Sequence, residues 1–106
     1  MYPLAAKFVR FGTLLCAWLS GTLFAEAVRI YRDSVIPAAK KQHGFKGALL
    51  LTDSITGKGY SITEWETEAD MKAGETSGYY EEQIAKFGQL LTSKPIREGF
   101  QVSLQV

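Results

Sequence analysis

"GFKGALLLTDSITGKGYSITEWE", residues 44–66, decides the fold. Two β-prone runs, one from Phe45 to Thr52 and one from Tyr60 to Trp65, flank a segment rich in Asp, Ser, Thr and Gly, the composition of a hairpin turn. Side chains alternate along a strand, so Phe45, Gly47, Leu49 and Leu51 are expected on one face and Lys46, Ala48, Leu50 and Thr52 on the other. In the partner strand Tyr60 and Ile62 oppose Ser61, Thr63 and Trp65. Apolar residues thus occupy both faces, and a sheet of that kind needs cover on both sides.

Toward the C-terminus, Thr67 is placed to cap a helix: its hydroxyl can accept a first-turn N–H, and Glu68 and Asp70 suit the positive end of the helix dipole. Gly74 and "TSG" at 76–78 interrupt that helix, and Ser77 can cap a second piece beginning at Gly78 or Tyr79. Tyr80, Ile84, Phe87 and Leu91 then form an apolar stripe, while Tyr79 falls off it and is expected at a dimer seam or on the surface. Glu81, Glu82 and Lys86 read as a solvated face, with Glu82 and Lys86 in the favourable i, i+4 order. "TSKP" ends the helix, and "IREGFQVSLQV" reads as a last strand with Phe100, Val102, Leu104 and Val106 alternating against Gln101, Ser103 and Gln105.

Toward the N-terminus, "AEAVRIYRDSVIPAAKK" (25–41) reads as one helix with a buried stripe of Ala27, Ile30, Tyr31, Val35 and Ala38. Pro37 lacks an N–H and is expected to kink or restart it near Ile36, and Gly44 suits the exit. Ahead of it, Lys7 and Arg10 precede an uncharged run from Phe11 to Ala25, and residues 7–27 have the basic start, apolar middle and small-residue exit of a secretory signal. The run is short for a membrane span, which takes roughly 20 apolar residues. The other reading is a buried strand, so residues 1–24 are taken as an atypical segment holding the first strand, and 25–106 as the rest of a single domain.

The order is then strand, helix, strand, strand, helix, strand: an α+β, ferredoxin-like βαββαβ arrangement. Right-handed crossovers place both helices on one face of a four-stranded antiparallel sheet, and a second copy of the chain is the simplest cover for the other face.

Composition narrows the function. The chain has 106 residues and a net charge of +1, which supplies no basic field for nucleic acid. Cys16 is the single cysteine and His43 the single histidine, so an internal disulfide and a His/Cys metal site are not expected. No asparagine occurs.

"GFKGALLL" (44–51), "SITEWE" (61–66) and "ADMKAGETSGYYEEQ" (69–83) resemble the antibiotic biosynthesis monooxygenase domain family, over about residues 25–106. The resemblance implies a ferredoxin-like fold pairing sheet to sheet as a homodimeric α+β barrel. Family members usually open with a strand close to the first helix, and here the interval is longer. Either the edge strand shifts to roughly Phe11–Leu19, or Ala5–Phe11 is the strand and an insert follows. Cleavage of a signal after Ala27 would remove that strand, which argues for an uncleaved, cytoplasmic protein without a membrane anchor.

The resemblance spans several chemistries. Haem-degrading relatives use a tryptophan and an iron-ligating histidine at positions that here hold Gly74 and Ile84, which excludes ligation from there. Other relatives place a histidine where "AGETS" (73–77) stands, and polyketide-type oxygenases use an asparagine with a tryptophan, of which only Trp65 remains. What is left is a cofactor-independent monooxygenase of a small phenolic or quinol-type aromatic, because an electron-rich phenolate can itself reduce dioxygen. Tyr31, Trp65 and Tyr80 are the substrate-binding candidates, each also readable as core. His43 reads as a solvated imidazole at a helix exit or a general base, and Glu64 as an acid–base group at a strand end. The alternative is a non-catalytic homodimer that binds a small apolar ligand or serves a stress or regulatory role.

Overall fold

The computed structural model describes residues 10–19 and 24–106. Strand β1 (Arg10–Trp18) precedes helix α1 (Phe24–Ile30), which continues through a π turn (Tyr31–Val35) into α2 (Ile36–Lys40). Next come the hairpin of β2 (Phe45–Asp53) and β3 (Lys58–Trp65), helices α3 (Glu68–Thr76) and α4 (Tyr79–Ala85), a 3-10 turn (Gly88–Leu90) and β4 (Ile96–Val102). The strands form one antiparallel sheet in the order β2-β3-β1-β4. This is the ferredoxin-like α+β arrangement expected from the sequence.

Strand β1 falls in the Phe11–Leu19 window, but it is central rather than at an edge: Leu14 sits opposite Ile62 of β3 on one side and Glu98 of β4 on the other. Its near-continuous apolar run suits a strand bounded on both edges. Residues 1–9 and 20–23 lie outside the described residues, and with them Lys7 and most of the alternative strand Ala5–Phe11. No helix among the described residues is long and apolar enough to cross a membrane.

A bulge corrects the hairpin's faces. Phe45 pairs with Trp65 and Gly47 with Glu64, which leaves Lys46 as the extra residue. Strict alternation fails across it, so Phe45 turns to the helix side with Trp65, while Gly47, Leu49 and Leu51 face away together as expected. The turn is closed by Asp53, whose Oδ1 accepts the N–H of Ile55 at 2.9 Å. Gly57 sits there at φ 80°, where a Cβ would stand 2.9 Å from the Leu19 carbonyl oxygen.

As expected at Pro37, a new α-helical piece starts at Ile36, with the proline in its first turn and a π turn ahead of it. The Ile36 N–H donates to the Tyr31 carbonyl, a π-type span, and Ile36 keeps helical φ and ψ of −62° and −47°. Widening one turn ahead of the proline makes room for its ring and for the missing donor, so the chain stays helical through the restart. The buried stripe is Ala27, Tyr31, Val35 and Ala39; Ile30 and Ala38 are only partly buried.

Thr67 caps α3 as expected, its Oγ1 accepting the Asp70 N–H at 3.0 Å. Helix α4 starts at Tyr79, whose N–H donates to Ser77 Oγ at 3.4 Å. Tyr79 is not on the surface but buried, because the left-handed Gly78 (φ 81°) re-aims the chain after α3. Lys86 does not pair with Glu82 either: its ammonium turns inward to Gln83 Oε1 at 2.8 Å and to the Ser34 carbonyl at 3.3 Å.

Ala39, Trp65, Met71, Tyr79 and Tyr80 form the core between helices and sheet. Four rings run edge to face through it: Phe45 to Trp65 at 5.7 Å, Trp65 to Tyr79 at 6.5 Å and Tyr79 to Tyr80 at 5.5 Å. Each such pair stabilises by about 0.5–1.5 kcal/mol beyond area burial. Gly74 permits the closest approach, since a Cβ there would lie 2.8 Å from Tyr80 Cε2.

The registers place Leu14, Cys16 and Trp18, Tyr60 and Ile62, Leu49 and Leu51, and Ile96 and Phe100 on the face away from the helices. Leu49, Leu51, Ile96 and Phe100 are each about half exposed there.

Candidate functional site

The helix-side residues of β1 and β3 carry small polar groups in mid-sheet: Thr13, Ser61 and Thr63. Above them α1, the π turn and α4 leave a partly enclosed cavity of about 90 Å³. Its inner walls are Thr13, Ser61, Tyr31, Tyr79, Tyr80 and Gln83; Ala27, Leu50, Ile84, Phe87 and Leu91 make the apolar remainder. No charged side chain among the described residues lines it. An engineered apolar cavity of ~150 Å³ takes benzene, so this smaller but partly open space holds at most one small ring.

Two tyrosines are tied to the sheet floor. Tyr31 hydroxyl is 2.9 Å from Ser61 Oγ and Tyr80 hydroxyl 2.8 Å from Thr13 Oγ1, either atom able to donate. Tyr79 hydroxyl has no hydrogen bond to another described residue. Burial pushes its pKa up to about 12, with the neighbouring phenols of Tyr80 and Tyr31 adding to the shift. Burial likewise raises Tyr31, against the lowering effect of its Ser61 hydrogen bond. At neutral pH Tyr31 and Tyr79 are therefore hydrogen-bond donors and not bases.

Of the three residues singled out in the sequence, the structure brings Tyr31 and Tyr80 to the cavity. Trp65 stands behind them: it is 1% exposed, wedged between Phe45 and Tyr79, and its Nε1 donates to Thr63 Oγ1 at 3.2 Å. It shapes the site by packing and does not line it. Thr13, Ser61, Tyr79 and Gln83 were not foreseen. Gln83 had a sequence signal, since it lies one helical turn from both Tyr79 and Tyr80.

The acid–base candidates lie elsewhere. His43 is solvated, its Nδ1 2.7 Å from Asp70 Oδ1, and that hydrogen bond raises the imidazole pKa. Glu64 sits on the outer sheet face, 3.4 Å from Arg10 and accepting Gln105 Nε2 at 3.0 Å. Among the described residues no group of three or more His, Cys, Asp or Glu comes together.

Solved structures share this architecture. A monooxygenase from the gene ActVA-Orf6 of Streptomyces coelicolor, solved with the ligand Nanaomycin D, superimposes with a TM-score of 0.71 at 16% identity, over 92% of this chain and 91% of its own. The chain has the fold of the antibiotic biosynthesis monooxygenase structures. SnoaB of Streptomyces nogalater, a cofactor-independent oxygenase solved as a point mutant, aligns at 0.70 and 11% identity over 92% and 96%. NE2512 of Nitrosomonas europaea, of unknown function, aligns at 0.72 and 16% identity over 94% and 95%. Neither a protein-family model nor a curated protein sequence matches the chain.

Proposed function

We propose that this chain is a cofactor-independent oxygenase of a small, single-ring phenol or quinol. The observation that carries the reading is the cavity: apolar walls, hydroxyl and amide donors at its inner end, and no charged lining group among the described residues. Such a site holds an uncharged ring, excludes water, and stabilises an oxyanion that develops on it. With dioxygen, a phenol carrying hydrogen at the para carbon goes to the quinone: one oxygen atom becomes the second carbonyl, the other leaves as water with both hydrogens. The phenol supplies all four electrons, so no outside reductant is needed; a quinol, already oxygenated at the para carbon, gives two electrons and two hydrogens to dioxygen instead and yields the quinone and hydrogen peroxide. ActVA-Orf6 and SnoaB, oxygenases of the same fold, support the class of reaction. The volume favours one ring over a polycycle.

A second reading, ligand binding without turnover, is favoured by one feature: none of the described lining residues is a base at neutral pH. Deprotonation must then come from the substrate's own acidity, so activated phenols are the substrates to try. Oxygen uptake with alkyl hydroquinones and acylphenols separates the readings, with autoxidation subtracted. Turnover that drops in Tyr79→Phe and Tyr80→Phe supports the oxygenase; uptake equal to the protein-free rate while the phenols still bind leaves the binding reading.

We also propose a homodimer through the outer sheet face, as the half-exposed Leu49, Leu51, Ile96 and Phe100 form an apolar surface of the kind that marks an interface.

A further inference from the structure

Gln83 is buried, on the wall of the cavity, and its amide has one assigned end. An ammonium has three donors and no acceptor, so the atom that meets Lys86 Nζ at 2.8 Å must be the carbonyl oxygen Oε1. That fixes Nε2 as the opposite end, and it has no partner among the described residues. Lys86 is itself anchored, donating also to the Ser34 carbonyl at 3.3 Å in the π turn that carries Tyr31. One cation thus braces both helical walls of the cavity and sets the direction of the amide. Four residues before Gln83, on the same face of α4, Tyr79 offers a second donor, its hydroxyl without a described partner.

We propose that Gln83 Nε2, aimed by Lys86, and Tyr79 hydroxyl form a two-donor cradle for a single oxygen of the ligand, a ring-attached carbonyl or developing phenolate. The inference rests on the cavity being a ligand site and goes further by setting orientation and chemistry: the ligand's oxygen must accept hydrogen bonds and point toward α4. The remaining inner hydroxyls are paired, Tyr31 with Ser61 and Tyr80 with Thr13, so each is held at the sheet floor and each pair has one of its two O–H groups committed. The Lys86 charge lies behind the amide, so it polarises Nε2–H toward an acceptor without placing a cation in the apolar space. Gln83 and Tyr79 would touch the ligand; Lys86 is a positioning residue.

The test is calorimetric titration of the full chain with two single-ring probes of similar shape: acetophenone, whose oxygen only accepts, and ethylbenzene, which has none. Wild-type protein should bind acetophenone about tenfold more tightly, the scale of two modest hydrogen bonds. Gln83→Leu should lose most of that preference while keeping ethylbenzene affinity, which also reports that the variant is folded. Lys86→Met should lose it in part, and Lys86→Arg should restore it. A Gln83→Leu protein that retains the full acetophenone preference overturns the cradle and leaves the cavity reading standing. Failure of folded wild-type protein to bind either probe overturns both.

Discussion

Gly74→Ala tests how tightly α3 is set against the tyrosines. The added Cβ would lie 2.8 Å from Tyr80 Cε2, 3.2 Å from Tyr80 Cδ2 and 3.3 Å from Tyr79 Cδ2. The Tyr80 ring cannot swing away freely: its hydroxyl is bound to Thr13 at 2.8 Å, the Arg97 guanidinium lies 4.9 Å over its face, and Tyr79 meets it edge to face. Helix α3 must shift instead, and overpacking of that kind costs about 1–3 kcal/mol. Alanine in place of glycine in a helix returns at most about 1 kcal/mol. The net, with the full return, is a destabilisation of about 0–2 kcal/mol, or a melting temperature lower by up to roughly 10 °C for a domain of this size. Thermal and urea denaturation followed by circular dichroism measure it. Adding Tyr80→Leu removes the obstructing ring, so the double variant should be less destabilised than the sum of the singles. A Gly74→Ala protein more stable than the parent, or a double variant whose loss equals the sum of the singles, refutes the close approach and with it the shape of the cavity's inner wall.

The His43–Asp70 pair should show in a pH profile. Its hydrogen bond raises His43 and lowers Asp70, so the histidine's contribution is complete below about pH 6.5 and fades as pH rises through its folded value, while Asp70's fades as pH falls below the carboxylate range. A His43→Gln variant should therefore lose most against wild type near pH 5.5 and converge with it by pH 9 in thermal melts; a pH-independent difference contradicts the pairing. Tyr79, at about 12, should be among the last phenols to ionise in a titration at 295 nm, and Tyr79→Phe should remove that alkaline component. Because its folded pKa lies above the unfolded value of about 10, its contribution to stability is intact below pH 10 and falls as pH rises through 12. If the chain pairs as proposed, wild-type protein should have the mass of a dimer in light scattering and Leu49→Glu on the outer sheet face that of a monomer, with the far-ultraviolet spectrum retained; a monomeric wild type refutes the pairing, and an unchanged dimer mass in the variant places the interface elsewhere.

The alternation of Tyr60 to Trp65, the Thr67 cap and the two-part second helix could all be read in the sequence, because each rests on a local rule of period or capping. What could not be read depends on single residues that slip a period. Lys46 adds one residue to β2 and turns Phe45 over, and Gly78 rotates α4 so that Tyr79 comes inside. Pro37 marked the restart at Ile36 correctly, but the π turn from Tyr31 to Val35 that precedes it has no signature in residue type. At the site, Tyr31 and Tyr80 carried a signal as aromatics on helical stripes. Lys86 read as part of a solvated face, and only the neighbouring helix supplies the carbonyl that draws it inward.

The central place of β1 bears on how the molecule assembles. Its hydrogen-bonding partners are β3 and β4, so Cys16 must find Tyr60 on one side and Ile96 on the other. Nearly all of its pairing is therefore long-range, the topology that slows folding and leaves an apolar strand waiting with open edges. While a ribosome is still making β4, β1 can be bordered on one side at most. During that interval the run from Leu14 to Trp18 is a chaperone's natural target, and the last strand to emerge is the one that closes the sheet.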